Sequence, residues 1–185
     1  MDATLLVLAG GQSVRMGRPK AWIKVGDTIL LRLVVDRLAP SFSQVLVSFA
    51  GPEQVAEPVP YAVVFDRKPS IGPLGGLEAG LVAAHHDVLF AVACDMPYVT
   101  RSTAERAVAM VGNTDAAIPR HDGRQEPVCA AYRKTALPVI TASIDAEKFK
   151  MSEMTNRLRV TWLDGLNANE FTSLNTPEEV RSFTA

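Results

Sequence analysis

The chain is short of cysteine, of histidine, of any charge excess and of long apolar runs, and each shortage closes a route. Its two cysteines, Cys94 and Cys129, lie far apart, and neither has a second Cys or His at metal-ligand spacing. No zinc site or disulfide framework follows, and both are expected to be reduced thiols in or near the core. Of the three histidines, His85 and His86 end an apolar stretch and His121 sits beside Asp122-Gly123. None accompanies a nucleophile, so no triad is read and surface positions are expected. Nineteen basic residues face twenty acidic ones, which removes the global basic field that gathers nucleic acid or acidic membrane; any polyanion site must be local. The longest apolar run, Val88 to Cys94, cannot span a bilayer, and Met1-Asp2-Ala3-Thr4 lacks the basic start of a signal segment. A cytoplasmic protein with no nucleic-acid or membrane partner is the expectation.

What remains is a chain of 185 residues, 48% hydrophobic and 21% charged, suited to one compact domain with a full core. Leu5 to Ala9 is a continuous apolar run ending in Gly10-Gly11, the pattern of a strand buried on both faces. Strand and helix patterns then alternate: a helix over 29–39, strands over 44–49 and 62–65, a helix over 77–84 and a strand over 88–93. That succession implies right-handed βαβ crossovers and a mostly parallel central sheet with helices on both faces, a three-layer, Rossmann-like α/β domain. Farther on, Ser102 and Glu105 stand in capping-box relation and open a helix. Strands are read over 116–118, 128–132 and 160–163, the last at an edge, and a helix over 135–144. Thr176, Pro177 and Glu179 start a terminal helix reaching Phe183. Residues 142–159 have weak periodicity and are read as a loop.

Two strand ends carry the chemistry. After the first come Gly10-Gly11, then Arg15-Met16-Gly17-Arg18-Pro19-Lys20. Glycines there let backbone N–H groups turn around an anion, while Arg15 can grip phosphate oxygens bidentately and Lys20 offers a compact charge. The dinucleotide fingerprint is excluded because the glycines are adjacent and Ser48-Phe49-Ala50 ends the second strand; a P-loop is excluded because Pro19 and Ala21 flank the lysine. After the strand over 88–93 comes Cys94-Asp95-Met96-Pro97, at the edge where open α/β sheets bind ligands. Asp95 is therefore expected to face the phosphates and hold Mg²⁺, which takes one or two protein carboxylates plus phosphate oxygens. Asp66 closes another strand, ahead of Gly72-Pro73-Leu74-Gly75-Gly76 and a helix start able to hold a base edge or an anion.

Together, Leu8-Ala9-Gly10-Gly11, Arg15-Met16-Gly17, Lys20, Gly72-Pro73-Leu74-x-Gly76, Cys94-Asp95-x-Pro97 and Asn175-Thr176-Pro177-Glu178-Glu179 resemble the molybdenum cofactor guanylyltransferase family from end to end. The resemblance implies one nucleotidyltransferase domain over 1–185, its N-terminal half binding nucleotide and its C-terminal half the acceptor. It further implies transfer of GMP from GTP to molybdopterin with release of pyrophosphate, Mg²⁺ as cofactor, and cofactor-delivery or molybdoenzyme proteins as partners. By the same resemblance Leu8, Ala9, Gly10, Gly11, Lys20, Ser48, Asp66 and Asp95 bind nucleotide, Asp95 holds the metal, and Arg15, Lys20 and Asp95 are catalytic. Glu126, Pro127 and Asn175 fall on the acceptor side. The chain has Ser48 and Ser173 at two places where family members often carry Asn. A transferase for CTP or a sugar phosphate on the same scaffold, and a module holding GTP without chemistry, stay open as readings.

Overall fold

In the computed structural model, residues 1–10, 19–69 and 71–183 are described. They form a mixed, mostly parallel sheet flanked by helices on both faces. The strands are β1 (Thr4–Leu8), β2 (Lys24–Val25), β3 (Thr28–Ile29), β4 (Gln44–Phe49), β5 (Ala62–Phe65), β6 (Val88–Ala93), β7 (Ala116–His121), β8 (Arg124–Gln125), β9 (Cys129–Arg133) and β10 (Val160–Leu163). The helices are α1 (Leu30–Leu38), α2 (Pro73–Ala83), α3 (Arg101–Met110), α4 (Leu137–Asp145), α5 (Met151–Thr155) and α6 (Pro177–Ser182). The main sheet runs β10-β7-β9-β6-β1-β4-β5, with β8 paired to β7, while β2 and β3 form a separate hairpin.

Strand β1 lies inside the sheet, parallel to β4 on one side and β6 on the other. All five of its residues are buried, and alternation sends them to opposite faces. Leu5 and Val7 join the core that takes Leu31, Val34, Val35 and Leu38 of α1 and Ala104 and Ala107 of α3. Leu6 and Leu8 join the core built with Leu74, Leu77 and Leu81 of α2, Ile140 and Ile144 of α4, and Met151 and Met154 of α5. A continuous apolar strand is what two covered faces demand. A third, smaller cluster, Ile23, Val25, Leu30 and Leu174, ties the β2–β3 hairpin to the C-terminal segment.

The strands expected over 44–49, 62–65, 88–93 and 160–163 lie where the pattern places them, and β10 is an edge. Several expectations need correction. Strand β9 runs antiparallel to both β6 and β7, a direction that apolar periodicity does not encode. Helix α2 begins at Pro73, not at residue 77; its first turn is mostly glycine and apolar, so no amphipathic stripe marks it. The cap of α3 is Thr100, whose side chain accepts from the Thr103 amide, because Glu170 pins Thr100 from outside through its N–H and hydroxyl. Ser102 lies within the helix, and Glu105 turns to the Ser41 hydroxyl. Residues 142–159 contain the end of α4 and all of α5, where Met151 and Met154 reach the core. At α6 the capping box of Thr176 and Glu179 forms as expected.

Candidate active site

Parallel strands align their C-terminal ends, and here the ends of β1, β4, β5, β6 and β7 make one rim. Main-chain bonds knit its centre: Ala9 N–H donates to Ser48 O at 2.8 Å and Cys94 N–H to Leu8 O at 3.0 Å. Gly10 follows without room for a side chain, since a Cβ there would lie 2.8 Å from Ala50 N. Gly11 and Arg15 lie outside the described residues.

Lys20 and Asp95 meet on this rim although 75 positions separate them. Pro19 leads into a 3₁₀ turn over Lys20–Trp22, and Trp22 nails it down by stacking on Phe49, with ring centroids 5.9 Å apart. Its indole N–H donates to Gln54 O at 2.6 Å, so the tryptophan packs against the sheet. Lys20 Nζ donates to Asp95 Oδ2 at 2.6 Å and to Asn175 Oδ1 at 2.6 Å. Asp95 is 9% exposed, and its main-chain oxygen accepts from Leu174 N–H at 2.8 Å, so three distant segments converge on one charge pair.

Asp66 sits apart from that pair, beneath the first turn of α2, where a Cβ on Gly75 would lie 2.6 Å from its Oδ2. Burial, and then the neighbouring Glu78 carboxylate, push its carboxyl up to about 7. The next residue is anchored firmly: Arg67 donates twice to Glu78 and once to Asp145, and Thr141 donates to Glu78 at 2.8 Å. Ser48, expected among the nucleotide-binding residues, is 1% exposed. It lies under α2, where a Cβ on Gly76 would come within 2.5 Å of its hydroxyl. Its place is in the floor that lets helix and sheet approach.

The acceptor-side residues divide. Asn175 touches Lys20. Glu126 and Pro127 lie farther along the same rim and serve the β7–β9 end: Glu126 Oε1 is 2.9 Å from His121 Nε2, and Pro127 O accepts from Tyr132 OH at 2.6 Å. His121 corrects the expectation of a surface histidine. Its side chain is only 15% exposed, its ring stacks on Phe171 at 5.0 Å, and its buried Nδ1 has no hydrogen-bond partner among the described residues. The signal for its placement was Asp122-Gly123, which adopts positive φ at both positions (47° and 72°) and turns β7 into β8 as such dipeptides do in hairpins. His85 and the half-buried His86, which meets Ser43 Oγ at 2.9 Å, keep their surface roles. Both cysteines are free and buried, with thiols that burial pushes up. No described helix is long and apolar enough to cross a membrane.

Comparison with known proteins agrees with this geometry. Residues 5–159 match the model of the MobA-like NTP transferase domain. A probable molybdenum cofactor guanylyltransferase from Peptoclostridium acidaminophilum is 31% identical, covering 97% of this chain and 87% of the relative. A molybdenum cofactor guanylyltransferase from Vibrio vulnificus is 33% identical over 96% and 93%. In fold, the chain resembles molybdopterin-guanine dinucleotide biosynthesis protein A from Archaeoglobus fulgidus, with a TM-score of 0.83 at 24% identity over 96% of this chain and 95% of that one. It also resembles 2-C-methyl-D-erythritol 4-phosphate cytidylyltransferase from Thermus thermophilus, with a TM-score of 0.70 at 16% identity over 95% and 94%. With the glycine-ended central strand, the Lys20–Asp95 pair on the rim and these matches over most of its length, the chain belongs to the MobA-like NTP transferase domain family.

Proposed function

We propose that the protein is a magnesium-dependent molybdenum cofactor guanylyltransferase that moves GMP from GTP to molybdopterin and releases pyrophosphate. The observation carrying this reading is the contact of Lys20 with Asp95 at the carboxyl rim of the sheet, where a cation and a carboxylate stand ready for phosphate and metal. The relatives' names, molybdenum cofactor guanylyltransferase, support GTP and molybdopterin as the substrates.

In the reaction, an oxygen of the acceptor's phosphate attacks the α-phosphorus of GTP. The bond from that phosphorus to the bridging oxygen of the β-phosphate breaks, and pyrophosphate leaves with the electron pair. The acceptor is already an anion, so no general base is needed, and the task is to hold two polyanions together. Lys20 offsets charge gathering on the leaving group. Asp95 would hold Mg²⁺. The donor set fits an ion that arrives with the triphosphate: one oxygen of Asp95 accepts from Lys20, and no group of three or more metal-binding side chains occurs among the described residues. Such a site suits Mg²⁺, which keeps waters and phosphate oxygens, and not a closed protein cage. Bound there, Mg²⁺ supplies positive charge to phosphate oxygens.

The test is pyrophosphate release with molybdopterin and each of the four nucleoside triphosphates, with and without Mg²⁺. GTP with Mg²⁺ is expected to stand alone. Turnover with CTP instead would assign a cytidylyltransferase, and GTP binding without pyrophosphate would assign a non-catalytic carrier.

A further inference from the structure

Lys20 is held from two sides, and only one of the holders belongs to the charge chemistry. An ammonium group has three N–H donors. Asp95 Oδ2 and Asn175 Oδ1 each take one at 2.6 Å, and the tetrahedral geometry at nitrogen then fixes where the third points. With Asp95 alone the ammonium would be free to rotate about a single contact. Asn175 is itself built to stay still. Glu179 Oε2 accepts from its main-chain N–H at 2.6 Å and from that of Thr176 at 3.0 Å. Its side-chain amide donates to Ser173 O at 3.3 Å, which orients the carbonyl oxygen toward the lysine. The preceding Leu174 is buried and bonded to the Asp95 main chain. The capping box of α6 thus ends in a neutral acceptor aimed at Lys20.

We propose that Asn175 is a positioning residue for Lys20: its amide oxygen orients the ammonium so that the remaining N–H faces the phosphates. This rests on the transferase reading for its use in catalysis, and it differs from a contact between Asn175 and the acceptor. The neutrality of the amide matters. A second carboxylate at the same distance would hold the lysine equally well but would compete with the incoming polyanion.

The first measurement needs no substrate. In the ligand-free protein, trace labelling with acetic anhydride, read by mass spectrometry as the ratio of Lys20 to the exposed Lys24, is expected to rise roughly threefold to tenfold in Asn175→Leu, the scale of one lost hydrogen bond to an ionised group. It should fall below the wild-type ratio in Asn175→Asp, which keeps the acceptor and adds charge. A purely structural role would move both variants the same way, and that result, or no change in either, overturns the proposal. The second measurement is a double-mutant cycle in nucleotidyl transfer. Asn175→Leu should lower kcat about tenfold in the wild-type background and less than about twofold beside Lys20→Ala, because the effect is exerted through the lysine. Additive losses would assign Asn175 to the acceptor and overturn it as well. If the protein transferred no nucleotide, the functional reading would fail, while the labelling ratios would still decide the role of Asn175.

Discussion

The two ends of the sheet use the same residue types in opposite ways. At the N-terminal ends of the parallel strands, Asp115 takes two bonds from the Arg159 guanidinium, one from the Arg159 main chain and one from Thr135. Beside it, Arg133 is bonded to Asp87. Each of these donors faces a carboxylate. At the C-terminal ends, Asp95 has one side-chain donor, Lys20, and Asp66 has none among the described residues, while Gly10, Gly75 and Gly76 bring main chain close where side chains would be expected. Asp115 is bonded from within, whereas among the described residues Asp95 and Asp66 hold unmet bonding capacity, which is what a ligand supplies. The same rim also carries satisfied charges, Arg120 with Asp164 and Arg67 with Glu78 and Asp145, so the contrast lies in the individual carboxylates.

The largest expected contrast is in turnover. Asp95→Ala or Lys20→Ala should lower kcat by roughly 10²-fold or more, the size of losing one preorganised electrostatic group. A variant retaining full activity would remove that residue from its role. Asp115→Ala should do the reverse, lowering stability by about 2 kcal/mol through stranded hydrogen-bond partners while kcat per folded molecule stays as it was. Urea denaturation read beside kcat decides this, and a loss of activity without a loss of stability would erase the distinction between the ends.

Acidity gives a subtler contrast, because the two carboxylates are shifted in opposite directions. The Arg159 guanidinium, above all other causes, holds the Asp115 carboxyl well below the ordinary value of 3.8. Its contribution to stability is therefore present above that value and lost as pH falls further. Asp66 is raised from 3.8 to about 7, so the folded state holds a proton that the unfolded state has released, and stability is lost as pH rises toward and through 7. Asp66→Asn should then gain in thermal midpoint over the wild type between pH 5 and 8, whereas Asp115→Asn should flatten the acid side of the curve. Parallel midpoint curves for wild type and Asp66→Asn would contradict the raised carboxyl. The smallest effect expected is a drift in wild-type GTP affinity between pH 6 and 8 that calorimetry should find absent in Asp66→Asn.

Much of the rim was legible before any coordinates, for a physical reason. A strand covered on both faces is almost wholly apolar, so its end is sharply marked, as at Gly10 after β1 and Asp95 after β6; Asp66, after the more exposed edge strand β5, falls on the same edge because β5 is parallel to β4. The Thr176–Glu179 capping box was legible because its bonds are local. Strand direction was not, since alternation reads the same both ways along β9. Neither was α5, whose five residues span little more than one turn and so cannot repeat an apolar pattern. The hydrogen bond from Lys20 to Asn175 joins positions 155 apart, and no local pattern encodes such a contact. His121 was missed because its partners, Glu126 and Phe171, come from two different loops.

The convergence of residues 10, 20 and 95 on one triphosphate is tested most directly by a crystal structure of the protein soaked with GTP and Mg²⁺. Phosphate density is expected against the remaining N–H of Lys20, with the metal on the Asp95 carboxylate. A triphosphate seated elsewhere, for instance in the cavity of about 600 Å³ lined by Trp22, Arg32 and Tyr61, would contradict it.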